Sequence, residues 1–210
     1  MSCISPSDNQ ELTGLGTSTG SPMAGGGIDP NTTEIGKRLL AMSYGDLLNA
    51  PISEYFRVSD LSVNASFSHT LPRNGNKGLT ANQICVNMHG LAINVLDPIR
   101  KALGKFVISS GFRNATGGSQ HNIGCAADIY IGNRSWSSTY ENAAKIIGLN
   151  GETQIIKGFD QFLMESGKGL PWLHISWQVG RSRGEYWNAK LVGDKTICLS
   201  SSKFELKRMG

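Results

Sequence analysis

The chain has 210 residues, 39% of them hydrophobic and 17% charged, with a formal net charge of +4. That is enough apolar material for one sizeable core, and the weak positive balance lacks the Lys and Arg clusters interleaved with aromatics that a nucleic-acid surface needs. No apolar run is long enough to cross a membrane, and no charged start followed by an apolar stretch marks a secretion signal. The four cysteines, Cys3, Cys85, Cys125 and Cys198, have no Cys-x-x-Cys spacing and read as free thiols of a protein made in a reducing cytoplasm.

Residues 1–50 read as an addition to the main domain. The first thirty are rich in Ser, Gly, Pro and Thr and predict a flexible arm. Asn31-Thr32-Thr33-Glu34 then resembles a helix start, and Ile35, Leu39 and Met42 recur at helical spacing. That helix is expected to stop near Gly45. Thr80 to Gly104 carries Ile84, Met88, Leu91, Val95 and Ile99 on one stripe and predicts a helix bent at Pro98. Lys105 to Ser110 reads as a short buried strand and Gly111 to Gly118 as a glycine-rich loop. Ala127 to Ile131 is the next strand, with Asp128 and Tyr130 on one face and Ile129 and Ile131 on the other. Ser138-Thr139-Tyr140-Glu141 reads as a capping box opening a shorter helix that ends at Gly148. Phe159 to Glu165 and Trp172 to Gln178 predict a hairpin around Ser166–Pro171. Residues 51–195 form the expected domain, 196–210 a tail, and no internal repeat occurs.

The chemistry concentrates at Ser119-Gln120-His121-Asn122-Ile123-Gly124-Cys125-Ala126-Ala127-Asp128, answered by Trp172-Leu173-His174-Ile175-Ser176. Two imidazoles and one carboxylate suit zinc, and three protein ligands leave a fourth position for a water whose pKa falls to roughly 7. That pattern points to hydrolysis. In the hairpin, Gln161, Leu163 and Glu165 share one face, and Trp172, His174 and Ser176 share the facing one. If these faces coincide, Glu165 is a diagonal neighbour of His174 at roughly 7 to 8 Å and stands beside the metal site as general base. Asp160 is the reserve for that role. His69 and His89 read as ordinary surface or core histidines, Cys125 as a small packed position, and Arg181-Ser182-Arg183 as a turn. Trp172 is either hairpin core or a wall of the substrate cleft.

These residues resemble the M15 group of zinc D,D-carboxypeptidases and L-alanyl-D-glutamate endopeptidases, in its phage-type branch. Ser-Gly-Phe-Arg at Ser110 to Arg113, Ser-x-His-x-x-Gly-x-Ala-x-Asp at Ser119 to Asp128, Phe-Asp-Gln at Phe159 to Gln161 and Trp-x-His-x-Ser at Trp172 to Ser176 carry the resemblance, which covers about residues 55 to 190. It implies that His121, Asp128 and His174 bind Zn²⁺ and that Arg113 contacts the substrate carboxylate or the developing oxyanion. Ser119 and Trp172 are candidate substrate contacts beside Arg113, and Ser119 reads equally, with Ser176, as a structural hydrogen-bonding residue around the site. Several members place the acidic catalytic residue three positions before the last histidine, where this chain has Pro171.

The expected architecture is α+β, a small antiparallel sheet with helices on one face and the zinc site on the other. The expected activity is hydrolysis of peptide bonds in peptidoglycan stem peptides. An enzyme without a secretion signal reaches the wall at host lysis or in a phage particle, and residues 1–50 would then anchor it to tail or baseplate proteins. A virion structural protein that keeps an M15-like fold with weak or no catalysis is the alternative.

Overall fold

The structure, a computed structural model, describes residues 27–62, 74–167, 169–192 and 195–198. Cys3, His69 and most of the arm lie outside the described residues, as does residue 168 of the hairpin turn. The helices are α1 (Glu34–Ala41), α2 (Tyr44–Leu47), α3 (Val58–Leu61), α4 (Ala81–Leu91), α5 (Asp97–Leu103) and α6 (Trp136–Ile147). The strands are β1 (Val107–Ser110), β2 (Ala126–Tyr130), β3 (Gln161–Ser166), β4 (Pro171–Ser176), β5 (Glu185–Val192) and β6 (Lys195–Cys198), arranged in one sheet in the order β1-β2-β4-β3-β5-β6.

The class is α+β, as the sequence predicts, but one pairing departs from an antiparallel sheet. β1–β2, β2–β4, β3–β4 and β5–β6 are antiparallel, whereas β3 and β5 run parallel. The reason lies in the connection. β4 ends beside the start of β3, and the turn that follows returns Gly184 N–H to the Phe159 carbonyl and Glu185 N–H to the Asp160 carbonyl. β5 therefore starts opposite Gln161 and must travel with β3. β6 carries the sheet past residue 195, where the sequence suggested a tail.

Strand alternation divides the sheet into two faces. Ala127 and Ile129 of β2, Leu173 and Ile175 of β4, and Phe162 and Met164 of β3 are buried in the core with Ile84, Met88 and Leu91 of α4 and Ala143 and Ile146 of α6. Helices thus cover this face. The opposite face carries Asp128, His174 and Glu165.

Several boundaries differ from the sequence reading for local reasons. α6 opens at Trp136, because Ser135 and not Ser138 is the cap: its hydroxyl accepts from the Ser138 N–H. It ends at the left-handed Gly148, as expected. The long helix is α4, a π turn over Ala92–Leu96 and then α5, so the irregularity falls one turn ahead of Pro98, whose missing N–H cannot serve an ordinary helical ladder. α1 ends at Met42, not near Gly45, and Tyr44–Leu47 forms a separate turn.

The end of the arm is fixed to the helical side. Asn94, within the π turn, accepts from Ile28 N–H at 2.6 Å and donates to the Ile28 carbonyl at 2.9 Å. Thr33 caps α1 and its hydroxyl meets His89 Nε2 at 2.7 Å, while His89 Nδ1 donates to the Ile52 carbonyl. His89 is therefore a satisfied core histidine. Leu39 and Leu47 are fully buried in the same core as the sheet. Residues 27–50 are thus part of the domain and not a separable anchor. Leu39→Ala is expected to cost about 2–5 kcal/mol of unfolding free energy through lost burial and the cavity left behind. Deleting 1–49, which removes the buried Leu39 and Leu47 with α1 and α2, should abolish the cooperative transition. A 1–49 deletion that unfolds like the full chain would contradict this placement.

Candidate metal centre

The site is built from three backbone elements brought together by sheet register. Asp128 of β2 lies directly opposite His174 of β4, and Leu163 of β3 lies opposite His174 on its other side. His121 arrives from a 3-10 turn, Gln120–Ile123, capped by the Ser119 hydroxyl, which accepts from the His121 N–H at 3.3 Å. The turn ends at Gly124, whose φ of 75° is left-handed and whose Cα packs against the Ile84 carbonyl of α4, with no room for a side chain. Arg113 N–H donates to the His121 carbonyl and Cys125 N–H to that of Gln120, so the turn is tied at both ends.

Three ligand atoms converge there. His121 Nε2 is 3.1 Å from His174 Nδ1 and 3.2 Å from Asp128 Oδ1, and His174 Nδ1 is 2.9 Å from the same oxygen. All three residues are buried. Tetrahedral bonds of about 2.0–2.1 Å place neighbouring ligand atoms about 3.3 Å apart, so the spacing suits one metal ion. The tautomer suits it too. His121 Nδ1–H donates to the Gly111 carbonyl at 2.7 Å, which turns the Nε2 lone pair toward the other two ligands, an outer contact of the kind that orients metal-bound imidazoles. A buried His121-Asp128-His174 group that can hold a metal ion is therefore present, as the sequence motif predicts.

The charges are strongly coupled. Burial pushes the Asp128 carboxyl up, but the His121 and His174 imidazoles outweigh it and hold the group well below the ordinary carboxylate range. Burial lowers His121 below an ordinary imidazole. Burial acts on His174 in the same direction, yet the hydrogen bond and charge of Asp128, with the charge of Glu165, leave it raised. The two imidazoles are thus pushed in opposite directions, His121 down and His174 up. Cys125, inside the motif, has its thiol pushed up to about 12 by burial and is no thiolate ligand. Cys85 is buried likewise.

The other predicted site residues separate into two groups. Arg113 reaches the centre: its guanidinium donates to Asp128 Oδ2 at 3.1 Å and to Ser110 Oγ at 3.0 Å. Glu165, buried, is diagonal to His174 because Leu163 pairs with His174 and Glu165 with Trp172. Its Oε2 accepts from Trp172 Nε1 at 2.9 Å, and burial raises its pKa. Trp172 is thus tied to the acid it neighbours. Ser119 spends its hydroxyl on the turn. Asp160, the reserve base, is elsewhere occupied: fully buried, it accepts from Gln120 Nε2, from Arg181 Nε and from Arg183 at 2.7 and 3.1 Å. Sequence reasoning missed this network. Arg181 and Arg183 looked like a turn because nothing local in their spacing names a carboxylate 21 and 23 residues earlier.

No protein-family model matches the chain, and no curated protein matches it.

The unequal imidazoles make proton release a test of the centre. A metal competes with the His174 proton, which, against the lowering effect of burial, the hydrogen bond and charge of Asp128 hold more firmly than in a free imidazole, so metal affinity should weaken as pH falls through the His174 titration. Metal binding should therefore release protons, which calorimetry in buffers of different ionisation enthalpy checks; binding with no proton release at mildly acidic pH would contradict the assignment.

Proposed function

We propose that the chain is a zinc-dependent peptidase that hydrolyses peptide bonds in the stem peptides of bacterial peptidoglycan. The observation that carries this reading is the convergence of His121 Nε2, His174 Nδ1 and Asp128 Oδ1 on a sheet face beside a second, buried carboxylate that is not a ligand. Zinc is favoured over harder cations because two of the three donors are imidazole nitrogens. When bound, it supplies Lewis-acid polarisation of a carbonyl and a water acidified to near neutral pH.

The chain's own residues supply the rest. Glu165 takes the proton of the attacking water and returns it to the leaving amine, and its raised pKa brings it closer to the range where both transfers proceed. Trp172 Nε1–H, on one Glu165 oxygen, fixes the carboxylate's orientation and leaves the other oxygen for the proton. Arg113, half-exposed and bonded to Asp128 Oδ2, presents positive charge to the oxyanion that forms on the scissile carbonyl. The peptidoglycan assignment is supported by the four motifs that resemble M15 peptidases. Delivery in a phage tail, or release at host lysis, completes the reading, with any particle-binding segment confined to residues before Gly27.

Incubating purified wall peptides with the zinc-loaded protein and weighing the fragments tests the activity directly. His121→Ala and His174→Ala should lose both zinc and cleavage. Glu165→Gln should keep one zinc per chain and lose about 10²- to 10⁴-fold in turnover, because proton transfer is gone while the ligands remain. Asp160→Asn should act on stability and leave turnover of the folded protein within about threefold. Unchanged turnover in Glu165→Gln, with loss in Asp160→Asn, would remove Glu165 from the mechanism.

A further inference from the structure

We propose that Arg134, stacked on Tyr130 beside the metal-ligand strand, binds a carboxylate of the substrate close to the scissile bond. The inference rests on the peptidase reading above and adds what the substrate must carry. Tyr130 follows Asp128 by two residues on β2 and shares its face, so the ring stands about 7 Å along the strand from the ligand. The Arg134 guanidinium lies over that ring, 4.4 Å from its centroid. A guanidinium held on an aromatic face keeps its charge and its coplanar N–H groups while losing much of its freedom to turn.

Its two Nη groups are the edge left for a ligand. Arg134 Nε is closed off without a partner, and no hydrogen bond or ion pair involves Arg134 among the described residues. Other arginines are committed: Arg38 to the Pro51 carbonyl, Arg57 to the Asn49 carbonyl, Arg113 to Asp128 and Ser110, Arg181 and Arg183 to Asp160. Arg100 also stacks on a tyrosine, Tyr55, but from α5 on the helical side. Arg134 is therefore the cation next to the centre that is both oriented and available.

The ligand class follows from the geometry of a planar fork. Two parallel N–H groups recognise a carboxylate bidentately. An extended peptide advances about 3.3 Å per residue, so a group reaching Tyr130 belongs to a residue within about two of the bond cut at the metal. The register that pairs Ile129 with Leu173 and Trp172 with Glu165 puts Trp172 and Glu165 in the row of Tyr130, on the same side of the centre along the strands. Across that row the cation lies toward β1 and β2 and the Glu165 carboxylate toward β3.

The test uses full-length zinc-loaded protein and sets of peptides identical except for one group. One has a free C-terminal carboxylate and its amide counterpart, the other a side-chain carboxylate and its amide, which separates the two sources. The wild type should favour the acidic member of one pair by about tenfold in KM, the usual scale of a charge-assisted contact at a half-exposed site. Arg134→Ala should reduce that preference to within about twofold, and Arg134→Lys, which keeps charge but not the fork, should fall between. Equal KM ratios in wild type and Arg134→Ala overturn the subsite. Calorimetric binding of the same peptides to Glu165→Gln needs no turnover and decides the point separately. If the wild type cleaves nothing yet Glu165→Gln prefers the acid in an Arg134-dependent way, the peptidase reading fails and the subsite stands; binding with no acid preference, or no binding at all, overturns the subsite.

Discussion

The buried carboxylate of Asp128 is the constraint around which the functional face is organised. A carboxylate removed from water costs several kcal/mol unless charges and donors surround it. Here Oδ1 meets two imidazoles and Oδ2 one guanidinium, and each partner comes from a different part of the chain: β4, the 3-10 turn before β2, and the loop after β1. Each of those segments must therefore be held before Asp128 can be buried. The ties at Gly111, Ser119, Gln120 and His121 are the means. The metal centre is the same arrangement seen from its ligand atoms, since groups that neutralise a buried carboxylate in pairs are also groups that converge on a cation.

Asp160 shows how a second buried carboxylate takes a different role. Its partners are two guanidiniums and an amide, all donors only toward it. The group joins the start of β3, the turn before β5 and, through Gln120, the residue next to His121. Asp128 is neutralised instead by imidazoles, whose protons can be exchanged for a metal. The identity of the partners, more than burial itself, separates a structural carboxylate from a ligand. Removing either partner set should be severe for stability, but only one set bears on chemistry.

Much of this was legible in the sequence, because the relevant signals are local. Period-two alternation placed Asp128 and Tyr130 on one face of β2 and Glu165 with Gln161 on one face of β3, and a six-residue hairpin turn fixed the register that puts Glu165 diagonal to His174. The glycine after α6 and the glycine-rich run before His121 were readable for the same reason. What was not legible is non-local. The parallel run of β5 depends on where β4 ends in space. The Asp160 cluster needs residues from 120, 160, 181 and 183 together. Competing caps within one stretch, Ser135 against Ser138, differ only in which hydroxyl the folded backbone offers a free N–H. The arm's last residues looked flexible by composition, yet Asn94 in the π turn satisfies both backbone groups of Ile28, a contact that no composition rule contains.

Arg113 ties these points to substrate recognition. Its hold on Asp128 Oδ2 leaves Oδ1 as the oxygen directed at the imidazoles, so the carboxylate is set up to bind a metal through one atom. A carboxylate free to swing both oxygens inward would crowd the remaining coordination position of a bound metal. The guanidinium thus keeps Oδ2 turned away from the imidazoles. That commitment has a consequence for the substrate: an arginine bonded to a ligand can lean on a nearby oxyanion, but it cannot swing away to grasp a distant carboxylate without loosening the ligand. Arg113 at the centre and Arg134 on the Tyr130 ring are thus cations with different commitments, the first bonded to Asp128 and the second without a hydrogen bond among the described residues.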